Sequence, residues 1–176
     1  MWADETTLSV VAARVEREFP GYDALFGLCH GSRNGFEQAF LRERLGQGAE
    51  VIGTDISETA LGFPNSVQWD FHDFRADWDG RCDFVYTNSL DQSWKPDAAV
   101  RLWVSQLKPG GLLFIEHTRW HSPSHASKID PFGAEPELRP YLLVNWLGMS
   151  VCIEIIEGTK ANILDAKVWL FVKRLA

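Results

Sequence analysis

Residues 22–45, YDALFGLCHGSRNGFEQAFLRERL, decide the fold. The apolar run 22–29 reads as a strand, His30-Gly31-Ser32-Arg33-Asn34-Gly35 has the composition of a turn, and 36–45 reads as a helix. A glycine-bearing turn between strand and helix aims backbone N–H groups and the helix N-terminus at one place, so the segment predicts a βα unit with an anion or carboxylate site above it. The turn lacks the three-glycine spacing of the dinucleotide fingerprint, and glycine also serves such turns for steric reasons alone. On this segment by itself, a structural turn and a ligand turn stay open.

Working outward, the chain keeps alternating short apolar runs with helical stretches, the pattern of a parallel sheet covered on both faces. Upstream, Leu8, Val11, Ala12, Val15 and Phe19 fall at helical spacing over 6–19, and Pro20-Gly21 stops that helix. Downstream, strands are predicted at 50–54 (EVIGT, closed by Asp55), 66–69 (SVQW, ending at Asp70), 82–87 (CDFVYT) and 112–116 (LLFIE). A helix over 96–107 and a tight turn at 108–111 (KPGG) precede the last of these. Residues 118–136 hold three of the eight prolines and no periodicity, which predicts a loop. A helix over 137–147 follows, then strands at 151–157 (VCIEIIE) and 167–173 (KVWLFVK), close enough in sequence to pair antiparallel.

The sum is an α/β fold: a doubly wound, mostly parallel seven-stranded sheet with helices on both faces and a C-terminal antiparallel hairpin at the edge. It is read as one domain over 1–176, with an N-terminal helix in 1–20, a ligand-binding half in 22–117, the loop 118–136, and the helix and hairpin in 137–176. A chain of 176 residues suits one core. A formal charge of −7, with no cluster of Lys and Arg, disfavours nucleic acid as a partner. Asp4 and Glu5 stand where a secretory signal carries positive charge, and no window approaches the roughly 18–20 apolar residues of a membrane span, so a cytoplasmic protein without membrane contact is expected. Cys29, Cys82 and Cys152 are few and scattered on apolar segments, as buried thiols in a reducing compartment are.

Two acidic strand ends add chemistry. Asp55 follows Gly35 by twenty residues, where a carboxylate can accept both hydroxyls of a ribose. Helix capping is its competing role, although Ser57 can cap the same helix. Asp70-Phe71 ends the third strand, where a carboxylate can take an adenine amino group while a ring covers the base, and Asp73 competes for that part.

The succession of glycine turn, acidic strand end, second acidic strand end, CDFVYTNSL and LKPGGLLFIEHT resembles the class I Rossmann-like S-adenosylmethionine-dependent methyltransferases. The resemblance runs over residues 22–118, and the final helix and hairpin agree with it. It implies that Gly31, Ser32 and Gly35, with Cys29 and His30 at the strand end, hold the methionine part of S-adenosylmethionine. It likewise implies that Asp55 and Ile56 bind the ribose end, that Asp70 and Phe71 bind adenine, and that Asn88 opens onto the sulfonium. The sequence departs from the family in the first turn, which has neither the usual acid near the strand end nor a GxGxG pattern.

Methyl transfer from a sulfonium needs orientation, desolvation and, for some acceptors, removal of a proton. Candidates for the base are Asp91, His117 and His121, with Asn88 and Tyr86 as polar contacts. His117, His121 and His125 recur every four residues, but Pro123 interrupts the run and no metal is expected. The expected partner is a small-molecule substrate, with a homo-oligomer left open. Two other readings compete: a non-catalytic Rossmann-like domain that binds a ligand or joins a complex, and a nicotinamide-dependent oxidoreductase, which needs a stricter glycine fingerprint.

Overall fold

Strand β1 (Phe26–His30) pairs in parallel with β2 (Glu50–Asp55) on one side and β4 (Cys82–Thr87) on the other. β2 carries the short β3 (Ser66–Gln68), and β4 carries β5 (Leu107–Thr118). β7 (Lys167–Leu175) runs antiparallel between β5 and the edge strand β6 (Val151–Thr159), giving the order β3-β2-β1-β4-β5-β7-β6. This is the predicted doubly wound sheet with its terminal hairpin. The computed structural model describes residues 3–21, 23–148, 151–159 and 167–175. Met1 and Trp2 of the predicted N-terminal helical segment and Tyr22, expected to open the first strand, lie outside these.

The first strand starts at Phe26 rather than at residue 22, because its partner starts at Glu50 and the ladder opens with the pair Phe26–Glu50. Before that, the Asp23 carbonyl lies where a side chain on Gly48 would stand, so the loops pack too closely to continue the ladder. The predicted turn at 108–111 is absorbed into β5 as an irregularity: β4 advances two residues, Cys82 to Phe84, while β5 advances five, Leu107 to Leu112. Gly110 takes a φ of 82° there, and Lys108 reaches back to pair with buried Asp83, which also accepts from Phe26 N at 2.8 Å.

β4 is buried along its whole length, which is why it reads as a nearly unbroken apolar run. Alternate residues serve opposite faces. Phe84 and Tyr86 join Leu112 and Phe114 against α1 (Glu5–Glu18) and α2 (Phe36–Leu45), where Leu8, Val11, Val15 and Leu41 are buried. Val85, Leu113 and Ile115 face α3 (Pro96–Ser105) and α4 (Arg139–Leu147), through Val100, Trp103 and Leu143. Each such side chain contributes about 1.5–3 kcal/mol by leaving water. Asp4 caps α1 by accepting from Thr7 N at 2.9 Å, and Ser57 caps the 3-10 helix Glu58–Gly62 through Thr59 N, the role foreseen for it. The helix expected from 137 begins as a 3-10 turn, Pro136–Leu138, and becomes α4 at Arg139. Among the described residues no helix is long and apolar enough to cross a membrane.

Candidate active site

The chain runs from β1 toward β2 on one side and from β4 toward β5 on the other, so the loops after β1 and β4 part and leave a crevice at the carboxyl ends of the strands. A cavity of about 710 Å³ occupies it. The turn after β1 contributes Gly31, Arg33 and Asn34, the first turn of α2 contributes Glu37, and the end of β2 contributes Asp55 and Ile56. The opposite wall is Asn88, Ser89, Asp91 and Gln92. Trp120, His121, His125, Ile129 and Asp130, all from the predicted loop 118–136, close the remaining side. Glu37, Asp55, Asp91 and Asp130 face a single Arg33 across this space, so its field favours a cation.

The turn is built as the glycines require. Gly31 sits at φ 75°, and a Cβ there would fall 2.3 Å from Ser89 Oγ, so the β1 and β4 loops touch only because this residue has no side chain. Gly35 also has positive φ, as the N-cap of α2, and does not line the cavity. Ser32 turns inward: its N–H donates to Thr54 O at 2.9 Å, and its hydroxyl donates to Glu37 Oε2 at 2.8 Å and contacts Gln38. Ser32 therefore positions Glu37, which does face the cavity, rather than meeting a ligand itself.

Cys29 and His30 are corrections to the expected site. Cys29 is fully buried in the core against α1 and α2, where desolvation first and Glu37 second push its thiol well above the usual range. His30 lies on the other face, held by Thr54 Oγ1 at 2.9 Å and Gln106 Oε1 at 2.8 Å and stacked on Trp103. Burial lowers it to about 4, against the opposing effect of the Gln106 bond, so it stays neutral. At the end of β1 the pleat sends these two side chains into the two cores, and of the run 29–31 only Gly31 lines the cavity.

Asp55 lines the cavity while its Oδ1 accepts from Ser57 N at 2.8 Å. Because Ser57 caps the following helix itself, the rest of the Asp55 carboxylate is left to the site. Asp70 and Phe71 do not reach it, which is a second correction. Asp70 Oδ1 accepts from His72 N at 2.9 Å and bonds His72 Nδ1 at 2.8 Å, and His72 Nε2 bonds Ser93 Oγ at 2.8 Å. The chain Asp70–His72–Ser93 has the connectivity of a hydrolase triad, yet Ser93 is buried and offers no open nucleophile, so the chain ties the loop after β3 to the loop after β4. Phe71 packs edge-on against Trp103, whose indole N–H donates to Phe71 O at 3.1 Å.

On the far wall, Asn88 and Asp91 line the cavity as expected positions do, and His117 does not. His117 is fully buried on β5, with its ring 5.8 Å from that of Trp169. Desolvation chiefly, then Arg139 and His121, hold it down at about 2, so a general base there has neither access nor affinity for a proton. His121, four residues on, does line the cavity, 3.7 Å from Asp91. Tyr86 is also removed from the site, since its hydroxyl donates to buried Glu116 at 2.5 Å on the α1–α2 face. Among the described residues no cluster of His, Cys, Asp and Glu could hold a metal ion.

Sequence reasoning passed over Glu37, Ile129 and Asp130. Glu37 carried a signal, an acid in the first turn of a helix that follows a glycine turn; the other two carry none, because their place depends on how 118–136 folds back on the β4 loop.

No family model matches the chain, and no curated protein matches it by sequence. Solved structures do match in shape. One is the CurJ carbon methyltransferase, at TM-score 0.70 and 14% identity, over 96% of this chain and 54% of that one, so the chain spans about half of that protein's length. Another is a Burkholderia thailandensis 1,6-didemethyltoxoflavin-N1-methyltransferase with bound S-adenosylhomocysteine, at TM-score 0.70 and 17% identity, over 99% of this chain and 80% of that one. A third is an S-adenosylmethionine-dependent methyltransferase from Aquifex aeolicus, at TM-score 0.64 and 14% identity, over 99% and 100%. With its strand order, its terminal hairpin and these likenesses, the chain has the fold of the class I S-adenosylmethionine-dependent methyltransferases.

Proposed function

We propose that this protein binds S-adenosylmethionine and transfers its methyl group to a small-molecule acceptor. The observation that carries this is the acid-lined cavity at the split between β1 and β4, reached by the turn at Gly31 and by Asp55. The residues present fit the group. Glu37 and Asp55 suit a ligand with a sulfonium and an ammonium charge, Arg33 can meet its carboxylate, and the part of Asp55 not engaged by Ser57 can accept from ribose hydroxyls. Exposed Ile56, next to Asp55, gives the base an apolar surface in place of buried Phe71.

When bound, the sulfonium supplies an already activated methyl group. The chain then has three tasks. Gly31 and Asp55 fix the donor's position, Asn88 and Asp91 orient the acceptor from the opposite wall, and Trp120 and Ile129 thin the water above them. The charge of the cavity and its size favour a small, non-anionic acceptor.

Calorimetric titration with S-adenosylhomocysteine tests this, on the native protein and on Asp55→Ala. Saturable binding to the native protein and a loss of about 100-fold, roughly 3 kcal/mol, in the variant is the expected result. Absence of binding to the native protein refutes the reading and favours a domain that has the fold without the ligand.

A further inference from the structure

Asp91 stands on the cavity wall, and its Oδ2 lies 3.7 Å from His121 Nε2, too far for a direct hydrogen bond but close enough for each group to sense the charge of the other.

His121 is held as a donor. Thr118 N–H donates to its Nδ1 at 2.9 Å, so the neutral ring carries its proton on Nε2, the nitrogen that faces Asp91. The segment bearing the ring is tied down on the same wall. Phe132 N donates to Asp91 O at 2.9 Å, Ala134 N donates to His121 O at 3.1 Å, and Arg139 Nη2 donates to that same carbonyl at 3.3 Å. Residues distant in sequence thus hold the backbone of both Asp91 and His121.

The titratable groups around Asp91 are His121 from the 3-10 turn Arg119–His121, Asp130 from the loop, and Arg139 from α4, with His117 of β5 behind, its ring 5.3 Å from that of His121. Desolvation, then Asp130, raise the Asp91 carboxyl to about 6, while its own backbone N–H, Arg139 and the backbone N–H of Gln92 pull the other way. At neutral pH such a group is mostly ionised and still basic enough to receive a proton.

We propose that Asp91, positioned by His121, is the proton acceptor of the reaction, and that the methyl acceptor is a small uncharged ring bearing an O–H or N–H nucleophile. The proposal rests on the methyltransferase reading above. The acceptor's O–H or N–H donates to the carboxylate of Asp91 on the cavity wall. As the bond from O or N to the methyl carbon forms, the C–S bond of the sulfonium breaks with its electron pair going to sulfur. The acceptor's proton passes to that carboxylate and leaves through the open cavity. The ring suits the exposed apolar rim of Trp120 and Ile129, and the carboxylates around it disfavour an anionic acceptor.

Two measurements test this, one without turnover. In carbon-13 spectra of the free protein, the Asp91 carboxyl should titrate near pH 6 and His121→Gln should move that inflection; the same Asp91 titration in both proteins overturns the coupling. The second uses methyl-labelled S-adenosylmethionine with catechol, 3-hydroxypyridine and 2-aminobenzimidazole as O–H and N–H probes, and acetylacetone as a carbon acid. Expected are methylation of at least one of the first three and none of the last. Asp91→Asn should lower kcat about 100-fold or more with S-adenosylhomocysteine affinity kept, and His121→Gln should shift the pH inflection of kcat. Methylation of the carbon acid alone, an Asp91→Asn enzyme at native rate, or S-adenosylhomocysteine binding with no turnover of any O–H or N–H probe overturns the proposal. Failure to bind S-adenosylhomocysteine at all refutes instead the reading on which it rests.

Discussion

The ends of β2 and β3 carry the same signal in the sequence, an aspartate closing a short run of strand residues, and the fold gives them different work. Asp55 faces the cavity because Ser57 caps the helix that follows and asks only one hydrogen bond of it. Asp70 is claimed twice by His72, through backbone and ring, and becomes the anchor of a tether to Ser93. An acidic strand end is thus available to a ligand only when the next few residues satisfy their own donors. The neighbouring apolar residues divide the same way: Ile56 beside Asp55 is exposed at the cavity, and Phe71 beside Asp70 is core.

The strongest way to break this contrast is Phe71→Ala. As a core residue against Trp103 and His30, Phe71 should cost about 3–5 kcal/mol of stability in urea denaturation when truncated, with S-adenosylhomocysteine affinity unchanged in the folded fraction. Weakened binding at native stability would return Phe71 to the site.

Next in size is the response to acid at the end of β1, beneath both regions. His30 is neutral in the fold, with a pKa lowered to about 4 from 6.5, so the unfolded chain binds the extra proton between those values. Stability should be level above pH 6.5 and fall on the order of 3 kcal/mol as pH drops to 4, with His117, lowered further, adding to the same slope. Thermal unfolding at pH 7 and pH 4.5 measures it, and His30→Gln should make the slope shallower; a stability that rises on acidification contradicts the buried neutral ring.

Asp70→Ala should lower stability by about 1–2 kcal/mol by stranding the His72 donors, and leave ligand affinity alone, the reverse of Asp55→Ala. A large affinity loss there would erase the distinction between the two strand ends. The smallest effect is expected from Ser57→Ala, about 0.5–1 kcal/mol for a lost cap at a short exposed helix. If Asp55 then takes over as cap, affinity should fall with it, which calorimetry on this variant detects.

Much of the fold was legible because its signals are local. A strand buried on both faces is apolar along most of its length, as in CDFVYT and LLFI, and a hairpin needs two β-rich segments near each other in the chain. These constraints act over a few residues, so the sheet and its terminal hairpin were readable, along with the turn at Gly31 and the strand end at Asp55. The strand limits were less so, since a ladder starts where both partners allow it.

What only the tertiary structure decided is which way each strand-end side chain points and which distant loop meets it. A period of two says that Cys29 and His30 face opposite sides of the sheet, but not that helices cover both sides and leave neither at the cavity. Likewise the four-residue spacing of His117 and His121 says nothing of the step from strand to 3-10 turn that buries the first and brings the second beside Asp91. Sequence determines local conformation through sterics and burial within a few residues. The far wall of the site arises from hydrogen bonds such as Phe132 N to Asp91 O, between residues 41 positions apart, and exists only once the chain has closed on itself.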